Sequence, residues 1–345
     1  MAAASPILSF TATPAPRLTD SLGRVIHDLR VSITDRCNYK CVYCRTGEVG
    51  AQYPELSIDE YLRLIKLFVG LGIAKVRLTG GEPLLRRGLL DLVGELARLR
   101  TLDGEPLDLA LTTNGHLLDG LAAPLKSAGL GRVTVSMDAV DAPTFERITR
   151  VPGSFQAVLG GIRAACAAGL TPLKINCVLL RGFNDSQIEA FARFARDEAV
   201  VVRFIEFMPL EEDRLWSPEI VVPLSEIVAR IGRVLPLVEL PPREASETAR
   251  RYTFADGVGE IGIIAPVSQA FCGACSRVRL TSDGKIRTCL FSQVEHDLYG
   301  SFRAGASDAE LSAYILRTVQ GKEARHHIGE PGFLKPSRSM VHIGG

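Results

Sequence analysis

From residue 28 onward, strand-like apolar runs alternate with amphipathic helical ones, and this alternation constrains the fold more than any other feature. Strand candidates lie at 28–34, 74–79, 107–113, 131–137, 172–180 and 200–208. Helix candidates lie between them at 57–70, 88–99, 116–128, 154–168 and 184–198, with another at 223–232. Such a succession predicts an α/β fold, a parallel sheet with crossover helices. Six β-α units rather than eight predict an incomplete (β/α)6 barrel of the TIM type, open on one side, with its chemistry at the C-terminal strand ends. A length of 345 residues suits one barrel plus an appendage. Residues 233–242 (VLPLVELPPR) read as a linker. After them, RYTF, EIGII and VRLTSDGKIRTCLF read as short antiparallel strands, with SDGK as a hairpin turn. The expected organisation is therefore a barrel over 21–240 and a smaller antiparallel α+β module over 241–345. The Ala-, Thr- and Pro-rich start lacks the basic and apolar regions of a signal peptide and predicts a disordered extension over 1–20.

Charge and hydropathy exclude several function classes. Lys plus Arg is 40 and Asp plus Glu is 39, a net charge of +1. Whole-molecule capture of nucleic acid or of an anionic membrane is excluded, so an anionic ligand must be held by a local cation cluster. No apolar run reaches the length of a membrane span. The expected compartment is the cytoplasm, where disulfides are not expected. Gly257-Val-Gly-Glu-Ile-Gly262 matches a dinucleotide fingerprint but precedes a strand-like run, so it reads as a hairpin turn. His326 and His327 read as a solvated surface pair.

Six of the eight cysteines are grouped. Cys37, Cys41 and Cys44 form C-x3-C-x2-C, and Cys272, Cys275 and Cys289 form C-x2-C-x13-C. Cys166 and Cys177 stand alone in apolar stretches and read as small buried hydrophobes. Clustered cysteines in a reducing compartment point to metal or redox chemistry. Three thiolates cannot fill a four-coordinate structural zinc site alone, and they suit a cubane iron–sulfur cluster with one iron open to a ligand. Zinc with a fourth ligand from elsewhere is the competing reading.

Cys37-Asn-Tyr-Lys-Cys41-Val-Tyr-Cys44, including its aromatic before the third cysteine, resembles the signature of the radical S-adenosylmethionine (SAM) superfamily. Thr79-Gly-Gly-Glu-Pro83 resembles the superfamily motif whose backbone meets the methionyl amine of SAM. The resemblance implies the radical SAM type of incomplete barrel and a [4Fe-4S] cluster whose open iron chelates SAM. It also implies reductive cleavage that yields a radical able to abstract hydrogen. It assigns cofactor contacts to Tyr43, Gly81, Ser136 and Met208.

Phe271-Cys-Gly-Ala-Cys-Ser-Arg-Val-Arg-Leu280 followed by Cys289 resembles a narrower family, the molybdenum cofactor biosynthesis protein A family of GTP 3′,8-cyclases. The likeness runs from about residue 20 to the C-terminus and includes Leu29–Asp35, Leu111–Gly115 and Arg181–Asp185. Arg45-Thr46 departs from the family's usual Met-Pro but holds no ligand. This resemblance implies a second [4Fe-4S] cluster on Cys272, Cys275 and Cys289, with the purine of GTP on its open iron. It assigns substrate contacts to Arg30, Arg77, Thr112, Lys174, Arg277, Val278 and Arg279. Strand parity is consistent with this: Arg30 shares a face with Ser32 and Thr34, Arg77 with Thr79, and Lys174 with Asn176. Arg203 joins them from the sixth strand candidate, and arginines suit bidentate phosphate binding. The ending, Gly344-Gly345, resembles the family tail that reaches into the active site.

The implied reaction takes GTP to (8S)-3′,8-cyclo-7,8-dihydroguanosine 5′-triphosphate, an early step of molybdenum cofactor biosynthesis. The implied partners are an electron donor such as flavodoxin or ferredoxin and a downstream cyclic pyranopterin monophosphate synthase. No nucleic acid and no membrane are expected, and a homodimer is compatible with the sequence. The alternative is a two-cluster radical SAM enzyme that modifies a peptide, which should carry further C-terminal cysteines to fill every iron. A non-catalytic zinc module is the third reading.

Overall fold

The structure, a computed structural model, describes residues 17–44, 50–213 and 215–343. Six strands, β1 (Asp28–Ser32), β2 (Lys75–Thr79), β3 (Asp108–Thr113), β4 (Arg132–Ser136), β5 (Lys174–Leu179) and β6 (Val201–Glu206), pair in parallel in chain order. Between them run α1 (Ile58–Gly70), α2 (Leu89–Ala97), α3 (Leu118–Ser127), α4 (Ala142–Thr149), α5 (Ser154–Ala167) and α6 (Ile188–Asp197), and α7 (Leu224–Val234) follows β6. Each helix turns an apolar face inward. In α1, Tyr61, Leu64, Ile65 and Phe68 bury one stripe, and a Ser57–Glu60 capping box fixes its start. Helix α4 is not among the sequence expectations; Asp141 accepts the Thr144 N–H at 2.8 Å and caps it.

The remaining strands are β7 (Leu237–Leu240), β8 (Arg250–Phe254), β9 (Glu260–Ile264), β10 (Arg277–Leu280), β11 (Lys285–Arg287) and β12 (His296–Asp297). They do not form a sheet of their own. β9 adds in parallel to β6 and β10 in parallel to β1, and antiparallel strands continue outward from each. The sheet order is β12-β11-β10-β1-β2-β3-β4-β5-β6-β9-β8-β7, with β12 and β7 unjoined, so the barrel is open. The expected linker contains β7, an edge strand framed by Pro236 and Pro241, where proline is tolerated. The G-x-G-x-x-G run makes the β8–β9 turn, with positive φ at Gly257 and Gly259. Helices α8 (Leu298–Arg303), α9 (Asp308–Gln320) and α10 (Met340–Ile343) complete the chain. No helix among the described residues is long and apolar enough to cross a membrane.

The folded body begins before residue 20. Leu18 is fully buried, donates to the Leu71 carbonyl at 2.9 Å and accepts from the Ile26 N–H at 2.8 Å. Residues 1–16 lie outside the described residues, so the rest of the expected extension does too. Cys177 is buried on β5, but Cys166 is exposed. The buried stripe of α5 runs Phe155, Val158, Ile162, Ala165, and Cys166 falls one position off it.

Candidate active site

The loop that follows β1 is pinned at both ends. Asp35 accepts the N–H groups of Gln52 at 2.7 Å and Tyr53 at 3.0 Å. The loop backbone docks on the end of α4, with Lys40 N–H on Thr149 O at 3.2 Å and Val42 N–H on Ile148 O at 3.0 Å. Residues 45–49 lie outside the described residues, Arg45 and Thr46 among them. Cys37, Cys41 and Cys44 face a common cavity. Burial, and then the Asp138 carboxylate, push the Cys41 thiol well above its ordinary range. The Tyr43 hydroxyl donates to Asp138 Oδ2 at 2.6 Å, and burial raises Asp138 to about 6.

The turn after β2 fits against that loop because it has no side chains. A Cβ at Gly80 would stand 2.2 Å from Thr34 O, at a φ of +148°, and one at Gly81 would stand 2.3 Å from Arg36 O. The Gly81 amide donates to Thr34 O at 2.8 Å, so it is used within the protein. Glu82 accepts from Leu84 N–H at 2.9 Å, Thr113 Oγ1 at 2.7 Å and Asn114 N–H at 2.6 Å, locking the β2 end to the β3 end. Ser136 and Met208 line the same cavity as Gly81.

The cavity has a volume of about 650 Å³. The second trio, Cys272, Cys275 and Cys289, lines it as well. Burial raises the Cys275 thiol, but the Arg277 and Lys322 cations beside it prevail and bring it down to about 7. Among the described residues no three His, Cys, Asp or Glu side chains close around a single metal ion. Two partly buried thiol trios spread over one cavity wall fit a group larger than an ion, and a four-iron cluster with three thiolate ligands is such a group.

Between the trios lies a band of positive charge. Arg279 is the register partner of Arg30, and Arg30 of Arg77, so three adjacent strands carry arginines in one row. With strands about 4.8 Å apart the guanidinium groups crowd one another. Burial, then Arg30 and Arg277, push Arg279 far down; burial, then Arg30, take Arg77 down to about 10. Arg77 Nη1 rests on the hydroxyls of Thr112 at 3.1 Å and Thr134 at 3.2 Å, and Arg203 Nε on Asn176 Oδ1 at 3.0 Å. At the periphery Lys75 faces Asp28 at 3.6 Å and Arg132 faces Asp108 at 2.5 Å. The inner cations Arg30, Arg77 and Arg277 share the field of that one Asp28 carboxylate with Lys75, and Nε of Arg30 and of Arg277 is buried without a hydrogen-bond partner among the described residues. Such an arrangement is costly unless an anion completes it.

Not every expected contact points into the cavity. Val278 alternates with Arg277 and Arg279, so its side chain lies in the hydrophobic core, 1% exposed. Gly344 and Gly345 lie outside the described residues; the preceding Ile343 carbonyl accepts from Arg279 Nη1 at 3.3 Å. The two histidines are not a surface pair. His327 is exposed and bonds Glu330 at 2.8 Å, whereas His326 turns inward onto Phe291, with ring centroids 5.1 Å apart, and lines the cavity. Motif spacing does not single out Asp138 or Arg132, and it gives Glu82 only as a member of the Thr79–Pro83 run, because their roles depend on partners remote in the chain.

Lys174 gives the band a measurable signature. Burial and the neighbouring Arg203, Arg132, Arg77 and Arg243 lower it to about 8, which brings the loss of its proton close to neutral pH. A bound polyanion would raise that value, which couples binding to proton uptake. The affinity for a nucleoside triphosphate is therefore expected to be level below about pH 8 and to fall above it. Lys174→Arg should flatten the slope, because guanidinium stays charged. Anaerobic calorimetric titrations at several pH values check this; an unchanged slope in the variant removes Lys174 as the source.

Comparison with known proteins agrees with this geometry. Residues 31–195 match the Radical SAM superfamily, and residues 200–328 match Molybdenum Cofactor Synthesis C. A GTP 3′,8-cyclase of Moorella thermoacetica is 44% identical over 331 residues, 95% of this chain and 100% of that protein. One from Acidothermus cellulolyticus is 45% identical over 88% of this chain and 84% of that protein. Among solved structures, Streptococcus suis SuiB bound to precursor peptide SuiA has a TM-score of 0.61 at 12% identity, covering 87% of this chain and 68% of that one, a likeness of fold alone. Taken with the two cysteine trios on one cavity, these relatives show that the chain belongs to the GTP 3′,8-cyclase family of the radical SAM superfamily.

Proposed function

We propose that this chain is a GTP 3′,8-cyclase that uses SAM and two [4Fe-4S] clusters and acts early in molybdenum cofactor synthesis. The observation that carries the reading is that both cysteine trios open into one cavity with the arginine row between them. Cys37, Cys41 and Cys44 would hold the first cluster and Cys272, Cys275 and Cys289 the second. When bound, the first cluster and SAM supply the radical that takes the 3′ hydrogen of GTP.

The chain's own residues bind, orient and shield. The Gly80-Gly81 turn, Ser136 and Met208 form the wall beside the first trio, where SAM would sit; Tyr43, held by Asp138, closes it. Arg30, Arg77, Lys174, Arg203, Arg277 and Arg279 would take the triphosphate, and Thr112 orients Arg77. Val278 would act only through its backbone. Arg279 Nη1 holds the Ile343 carbonyl beside the row, and Gly344 and Gly345, which follow it in the sequence, would assist the reaction. Holding the substrate between two fixed centres is a proximity effect, and the buried cations neutralise it without reorganisation. The product would pass to a cyclic pyranopterin monophosphate synthase, and electrons would come from a flavodoxin or ferredoxin.

A peptide-modifying enzyme would need further cysteines at the second centre; the C-terminal part of the chain holds only Cys272, Cys275 and Cys289. The deciding experiment is anaerobic incubation of the reconstituted protein with SAM, reductant and GTP, followed by mass analysis of the nucleotide. A dihydro-cyclised triphosphate is expected. Unaltered GTP beside rapid 5′-deoxyadenosine formation would sink the reading.

A further inference from the structure

The cysteines of the second trio lie on two backbone segments, the turn of Cys272 and Cys275 and the strand end before Cys289, and one short stretch after α9 ties both together, in part through Arg24. Lys322 is 5% exposed. Its Nζ donates to the Arg277 carbonyl at 3.0 Å, two residues past Cys275, and to the Thr288 carbonyl, next to Cys289. The Glu323 carboxylate accepts from Thr288 Oγ1 at 2.7 Å. The Glu323 and Ala324 carbonyls, at 2.6 and 3.0 Å, accept from Arg24, whose Nη1 also donates to the Cys272 carbonyl at 2.9 Å. Asp20, 2.5 Å from Arg24 Nε, holds that guanidinium in place.

The strap carries a charge as well as bonds. Two carbonyls take two of the three N–H groups of an ammonium and do not neutralise it. Among the described residues no carboxylate pairs with Lys322, although the side chain lines the cavity beside the second trio. A buried cation without a counter-charge is unfavourable. A four-iron cluster on three thiolates is anionic and would supply one. Arg277, which faces Phe271 at 5.1 Å, stands at the same wall, and Arg30 and Arg279 act on Cys275 and Cys289 from the row.

We infer that Lys322 is a positioning residue for the second cluster, fixing the segments of Cys275 and Cys289 while its charge offsets the cluster's and raises its reduction potential. The inference rests on the two-cluster reading above. A nearby cation favours the more negative, reduced state of the cluster, so removing it should make reduction harder.

The test uses the full chain, reconstituted anaerobically, as wild type, Lys322→Met and Lys322→Arg. Iron and sulfide are counted, and each cluster is titrated potentiometrically by paramagnetic resonance. Lys322→Met is expected to shift the reduction equilibrium of the second cluster at least tenfold toward the oxidised form, about 59 mV for one electron. The first cluster should be unmoved, and Lys322→Arg should restore most of the shift. Should Lys322→Met instead lose the second cluster, retention of that cluster by Lys322→Arg upholds the inference. A Lys322→Met protein with both clusters and an unchanged potential overturns it, as does equal loss of iron from both variants. Wild type with only about four irons sinks the two-cluster reading and this inference with it, whereas about eight irons in wild type confines any failure to Lys322.

Discussion

Replacing Cys41 with serine is expected to remove about half of the bound iron and all cleavage of SAM, while replacing Cys275 removes the other half and leaves some cleavage. The asymmetry follows from how the two centres are built. The loop of Cys37, Cys41 and Cys44 is held by Asp35 and by the end of α4. The second trio is held by Arg24, Lys322 and Glu323 on the opposite flank of β1. These supports are different residues on different segments, so loss of a ligand on one side is expected to leave the other in place. Cys166 and Cys177 are the controls, the first exposed on α5 and the second sealed in β5. Iron and sulfide counts with 5′-deoxyadenosine assays on one set of preparations check the assignment. A fall in iron on changing Cys166 or Cys177 to serine would show that the ligands are misassigned.

The two cysteine trios were readable as groups because cysteine spacing is local, and so was much of the barrel. The alternation from residue 28 locates β1 to β6 within two residues at every end, since each strand is an apolar run flanked by turns. Strand parity likewise puts Arg30, Arg77 and Lys174 on inward faces, and the same parity sends Val278 to the core. What could not be read is pairing between distant segments. Nothing local says that β10 adds in parallel beside β1, yet that pairing aligns Arg279 with Arg30 and brings Cys289 to the cavity of Cys37. Leu18 shows the opposite failure: composition averaged over the first residues hides one side chain that packs fully. His326 and Lys322 look like members of a polar, solvated stretch until their partners, Phe291 and the carbonyls of Arg277 and Thr288, are in place.

The pairing of β10 with β1 also sets the second large effect, at Arg279. This guanidinium is 4% exposed, stands beside Arg30 in the row, and touches the Ile343 carbonyl at the base of the chain end. Its charge is disfavoured by burial and by Arg30 and Arg277, so a triphosphate gains more there than at a solvated arginine. Losing one charge-assisted, two-pronged contact at a desolvated site costs about 2–4 kcal/mol, roughly 30- to 1000-fold in affinity. Arg279→Ala is therefore expected to weaken GTP binding by that factor while both clusters and uncoupled SAM cleavage persist. Lysine should rescue only part, because it keeps the charge but not the fork, and it reaches the phosphate and the Ile343 carbonyl less well together. The thermal midpoint without nucleotide reads what loss of this charge and of its Ile343 contact does to the ligand-free fold. GTP affinity, iron content, 5′-deoxyadenosine yield and the thermal midpoint without nucleotide, all from the same preparation, separate the outcomes. Unchanged affinity with lost iron would make Arg279 a support of the second trio and end its assignment to the phosphates.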